Sequence, residues 1–125
     1  MIGTNDAKAS VWKDSDTFLS EYKKFVKSYL NGLYSKPEVF LASALPLMEG
    51  MMPEEDPPFI PRVANQYLPE VIPIVARELG ANYIDIFHGL GGNDKSLWEK
   101  YSQEFIKNKS DGIHWGYPQI ARTIF

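Results

Sequence analysis

Val75-Ala76-Arg77-Glu78-Leu79-Gly80-Ala81-Asn82-Tyr83-Ile84-Asp85-Ile86-Phe87 changes periodicity within thirteen residues, and that change decides the fold class. Before Gly80, the residues Val71, Ile72, Val75 and Leu79 recur at helical spacing, which predicts a helix over 69–79. Pro69 suits its first turn, and Pro73 should bend it, because a proline inside a helix costs about 3 kcal/mol. Gly80 stops it. Residues 82–87 then form a short apolar run that reads as a strand, with Asp85 as a structural carboxylate near its end.

Outward from this unit the same alternation continues. Asp14-Ser15-Asp16-Thr17 offers N-caps for a helix whose stripe is Phe18, Leu19, Tyr22, Phe25, Val26, Tyr29 and Leu30. Glu21, Lys23, Lys24 and Lys27 take the other face, and Asn31-Gly32 closes the helix as a glycine cap. Residues 39–42, Val-Phe-Leu-Ala, read as a buried strand. Five prolines between 46 and 61, with Met48, Met51 and Met52, mark a long irregular loop; its methionines either pack on the domain or line an apolar pocket. Leu97, Trp98, Tyr101 and Phe105 suggest a third helix, and Ile120, Ala121 and Ile124 place a last one over 116–125. Met1-Ile2 reads as the end of a further strand. Strands alternating with helices predict an α/β domain with a parallel sheet, whose function gathers at the strand carboxyl ends.

Composition narrows the chemistry. The 125 residues fit one domain, and a net charge of −3 gives no attraction to nucleic acid or an anionic membrane. The chain has no apolar run near the ~20 residues of a bilayer span. Glu54-Glu55-Asp56 reads as a solvated loop. Without cysteine there is no disulfide, thiol nucleophile or Cys-ligated zinc. His88 and His114 are the only histidines, in no metal-binding spacing, so no metal site is expected.

Two motifs carry chemistry. Asp111-Gly112-Ile113-His114 joins a carboxylate to an imidazole three residues on, the pairing of a general base with its orienter. Gly3-Thr4-Asn5-Asp6 offers an Asn amide as an oxyanion donor. Each alone is more often a surface turn. Placed in this order on an α/β frame, the two are more specific and can meet on one rim.

Met1-Ile2-Gly3-Thr4-Asn5-Asp6-Ala7-Lys8 with Trp12, together with Asp111-Gly112-Ile113-His114, resembles the third and fifth sequence blocks of the SGNH hydrolases, the GDSL-type lipases and esterases. Residues 75–80 and 84–87 resemble that family's fourth helix and fifth strand. The resemblance runs along the whole chain but covers only the C-terminal part of the family's domain. It is closest to branches that remove acyl groups from carbohydrates.

The resemblance implies a flavodoxin-like three-layer α/β/α sheet, present here from the end of strand 3 to the last helix. It implies that Asn5 donates to an oxyanion, with Gly3 letting the turn pack tightly and Asp6 holding the loop. His114 would be the general base and Asp111 its orienter. The substrate would be a carbohydrate ester or other small ester, and no cofactor is called for. The family's nucleophile lies in a Gly-Asp-Ser block that these residues lack; Ser10, Ser15, Ser20, Ser28 and Ser43 sit in no such elbow. Trp115 also leads directly into Gly116-Tyr117, where the family has a longer loop.

The expectation is therefore a piece of a longer protein in which Met1 is internal, with any targeting signal upstream and an apolar strand edge open to self-association. The alternatives are a remnant that binds a glycan or partner, with Trp12, Trp98 or Trp115 as stacking surfaces, and a plain flavodoxin-like domain carrying the motifs by accident.

Overall fold

A computed structural model of the chain describes residues 3–50, 54, 56–98 and 117–124. After a 3-10 turn at Asn5–Ala7 come helix α1 (Ser15–Asn31), strand β1 (Phe40–Ala42), helix α2 (Leu68–Leu79), strand β2 (Asn82–Ile84), the short helix α3 (Ile86–Gly89) and helix α4 (Tyr117–Ile124). Residues 95–98 are also helical. The fold is α/β: β1 and β2 pair in parallel, with Phe40 opposite Asn82, Leu41 opposite Tyr83 and Ala42 opposite Ile84.

Alternation along the strands separates two apolar clusters. Leu41 and Tyr83 join α1 and α2 through Phe18, Tyr22, Val26, Leu68, Ile72 and Val75. Ala42 and Ile84 instead join Leu45, Met48, Ile86, Leu90, Trp98 and Ile120. Side chains two apart on a strand share a face, so both faces of the pair are covered. Helix α1 packs on α2, and α3 packs on α4. A Cβ at Gly89 would overlap Thr123 Cγ2, which sets how closely α3 and α4 approach.

Helix α1 begins as expected, with the Asp14 carboxylate accepting the Thr17 N–H at 2.6 Å and the Thr17 hydroxyl at 2.9 Å. Its end differs: Gly32 caps it at φ −84°, not in the left-handed region. Gly80 does take that region, at φ +64°. The stripe also differs, because Phe25 and Tyr29 are 53% and 65% exposed. Both line an apolar groove of about 360 Å³ that continues along Val39, Phe40 and Leu41. Residues 39–42 are therefore half-buried rather than buried, and among the described residues β1 pairs only with β2.

Helix α2 opens one residue before the expected start, and a π-helical stretch, Val63–Tyr67, leads into it. Pro69 lies in its first turn, and Pro73 sits inside a continuous helix. The expected strand over 82–87 stops at Ile84. Asp85 leaves extended geometry and caps α3, accepting the His88 N–H at 3.1 Å. A short apolar run cannot distinguish strand from buried helix by pattern alone; here the aspartate decides.

Of the expected 46–61 loop, Pro61 already opens the helical stretch that runs into Val63–Tyr67; before it, the described residues form no helix or strand apart from a bridge between Lys8 and Phe59. Met48 is buried in packing, whereas Met51 and Met52 lie outside the described residues. Glu54 and Asp56 are exposed. Of the third expected helix, Tyr101 and Phe105 lie outside the described residues. So does the strand end at Met1-Ile2. No helix among the described residues is long and apolar enough to cross a membrane.

Candidate functional site

The carboxyl ends of β1 and β2 collect three polar segments. The first is the Gly3–Ala7 turn. Gly3 is buried at φ +133°, and a Cβ there would lie 3.0 Å from Leu68 Cδ1 and 3.3 Å from the Ala44 Cβ. Only glycine accepts that dihedral and that approach without strain. Backbone bonds close the turn, with the Ala7 N–H shared between the carbonyls of Gly3 (3.2 Å) and Thr4 (3.1 Å) and the Lys8 N–H given to Asn5 O at 3.2 Å.

Asn5 is exposed, and its side-chain amide has no hydrogen-bond partner among the described residues. An uncommitted amide on a fixed turn can donate to a developing oxyanion. Asp6 does not brace the loop through a hydrogen bond among the described residues; it lies beside Trp12, Lys13 and Thr17. Burial, helped by the Asp6 charge, pushes the Tyr22 hydroxyl pKa up.

The second segment follows β1. Ser43 is fully buried, its N–H bonds Ile84 O at 3.0 Å, and its hydroxyl accepts the Phe87 N–H at 2.7 Å. It joins the two strand ends and is not presented as a nucleophile. Burial pushes the Tyr83 hydroxyl up, against a bond to Ser43 that acts the other way. Further along, Asn65 reaches back from the π-helical stretch. It accepts the Leu47 N–H and donates to the Leu47 carbonyl, each at 2.8 Å.

The third segment holds a pair that the sequence displays but that composition and resemblance passed over. Asp85-Ile86-Phe87-His88 has the same Asp-x-x-His spacing as 111–114, and here His88 Nδ1 lies 2.8 Å from Asp85 Oδ2. The carboxylate fixes one ring nitrogen and leaves Nε2 free, on a side chain 68% exposed. The spacing itself was the available signal. Asp111 and His114 lie outside the described residues, so the structure places Gly3 and Asn5 of the expected site.

Trp12 stacks on Tyr67 at 5.9 Å between ring centroids and 12° between planes, and Trp98 is buried. Both serve packing; Trp115 lies outside the described residues. Among the described residues, no group of three acidic or histidine side chains could hold a metal ion. No protein-family model, curated protein or solved structure matches this chain.

Proposed function

We propose that this chain is the C-terminal portion of an SGNH-type ester hydrolase with a flavodoxin-like α/β/α sheet, acting in the deacylation of a carbohydrate or similar small ester. The observation that carries the reading is the Gly3–Ala7 turn. It sits at the carboxyl end of a parallel strand, around a glycine that admits no side chain, with the Asn5 amide exposed and unengaged among the described residues. In this scheme Asp111 holds one nitrogen of His114, and the other takes the proton of a serine as its oxygen attacks the acyl carbon. Asn5 stabilises the tetrahedral oxyanion; its collapse breaks the ester C–O bond, the imidazolium gives its proton to the departing alcohol, and an acyl-serine remains. Water, activated by the same imidazole, then releases the acid. The serine belongs to a Gly-Asp-Ser block outside these 125 residues.

The test is to map the 5′ end of the transcript and translate upstream of Met1. An in-frame Gly-Asp-Ser after an apolar strand supports the reading, and a stop codon directly upstream overturns turnover by this chain.

One observation favours a second reading, association without turnover. The groove between α1 and β1 exposes Phe25, Tyr29, Leu33 and Phe40 beside an edge of β1 that has no strand partner among the described residues. On that reading a second copy pairs edge to edge and buries this face. Light scattering would give a dimer that Phe40→Lys dissociates; a monomeric parent chain rejects it.

A further inference from the structure

Beside the π-helical stretch lies a cleft of about 340 Å³, within the size range of small-molecule sites. Its polar lining comes from three separate parts of the chain. Arg62 precedes the π-helical turn and Gln66 lies within it, Asn93 and Lys95 follow α3, and Glu49 comes from the loop after β1, with Trp98 as apolar wall. Local π-helical geometry inserts a residue into a helix and is frequent at functional sites.

The internal bonds of these side chains determine what they can still offer. Asn65 spends its amide on Leu47, and the Trp98 N–H is given to Gly92 O at 2.9 Å. Asn93 donates to the Asn65 carbonyl at 3.2 Å, which leaves its own carbonyl oxygen as an acceptor. Arg62 is held in place: its Nε donates to Gln66 Oε1 at 3.1 Å, and its guanidinium lies 5.1 Å from the Tyr67 ring centroid. That leaves the guanidinium's terminal nitrogens and the Gln66 amide N–H groups as donors. With the Lys95 ammonium they outnumber the acceptors, Asn93 and Glu49. Among the described residues, two cations against one carboxylate give the lining a net positive charge.

We propose that this cleft binds a carboxylated polyhydroxyl compound of the uronic-acid class. The carboxylate lies between Arg62 and Lys95, and the hydroxyls bridge Gln66, Asn93 and Glu49. A guanidinium already anchored by Gln66 and Tyr67 loses little freedom on taking a carboxylate in its fork. Hydroxyls act as donor and acceptor together, which suits an amide nitrogen facing an amide oxygen and a carboxylate. The proposal stands apart from the ester-hydrolase reading and does not need turnover.

Isothermal titration of the full chain with D-glucuronate, D-glucose and acetate tests it. Glucuronate should bind saturably, with glucose and acetate each roughly tenfold weaker or more. Arg62→Gln and Lys95→Gln should each weaken glucuronate by a similar factor. Lys13→Gln, away from the cleft, should leave it unchanged. Both cleft residues are exposed, so circular dichroism should be unaltered. Absence of saturable binding, equal affinity for glucose or for acetate, or indifference to both cleft substitutions would each overturn the proposal.

Discussion

The Ser43 hydroxyl accepts the Phe87 N–H at 2.7 Å, joining the carboxyl end of β1 to the first turn of α3. Both residues are buried, so the bond has no water substitute. Ser43→Ala strands the Phe87 N–H at a cost of about 1–3 kcal/mol. Denaturant unfolding should show that loss, and imidazole NMR signals should show His88 displaced, because Asp85 is fixed by the same turn. A variant as stable as the parent would mean that the bond does not form in solution.

The Asn65 amide accepts the Leu47 N–H and donates to the Leu47 carbonyl, which also accepts the Glu49 N–H. Asn65→Ala leaves the buried Leu47 N–H unpaired, at a cost of roughly 1–3 kcal/mol, while the Leu47 carbonyl keeps the Glu49 N–H at 3.0 Å. Hydrogen exchange should locate the effect: the Leu47 amide should lose protection beyond the global loss of stability. Unchanged protection there would contradict the pairing.

At Gly3 two constraints coincide, a positive φ and contact with Leu68 and Ala44. Gly3→Ala should cost roughly 2 kcal/mol or more. Gly50, also at positive φ but with open space around its Cβ position, should cost less as Gly50→Ala. Thermal melts of the two variants make the comparison, and the reverse order would contradict the buried turn.

Acid should destabilise the chain through three carboxylates. The Thr17 N–H holds Asp14 below the usual aspartate range, the Ser96 hydroxyl does the same for Asp94, and Lys23 lowers Glu78. Folded values below the unfolded ones give stabilisation that is complete above the ordinary carboxylate range and lost as pH falls through the folded values, below about pH 4. The gap in denaturant midpoint between the parent chain and Asp14→Ala should therefore be larger at pH 7 than at pH 3. All three groups are exposed, so salt should reduce the contribution of the Glu78–Lys23 pair. A gap that widens in acid would contradict the assignment.

Much of this architecture is written in local pattern, and its failures share a cause. The Asp14 cap, the α1 register at Phe18, Tyr22 and Val26, and the Gly80 stop depend on neighbours within a turn or two, so spacing alone reveals them. Phe25 and Tyr29 look equally apolar, but their exposure depends on what lies against β1. Asp85 ends a strand because its carboxylate reaches His88 N–H, a competition that an apolar run conceals. The π-helical stretch at Val63–Tyr67 has no compositional mark, and the cleft beside it joins residues from three distant parts of the chain. Of the expected site, Gly3 was marked only by the resemblance, and the contacts with Leu68 and Ala44 that demand glycine there appear only in the fold. The Asp85–His88 contact was legible as spacing but not as geometry.

In the proposed hydrolase, Asn5 and His114 face the same reacting atoms. An oxyanion donor and a general base serving one acyl carbon lie within roughly 10 Å of each other. The chain has no cysteine, so the double variant Asn5→Cys/His114→Cys carries only the two introduced thiols. Treatment with a short bismaleimide, followed by peptide mapping, measures their proximity. Intramolecular cross-linking of that pair, with none for the control pair Asn5→Cys/Tyr34→Cys, is the expected result. Failure to cross-link in a folded variant would place the two motifs apart and contradict the hydrolase reading.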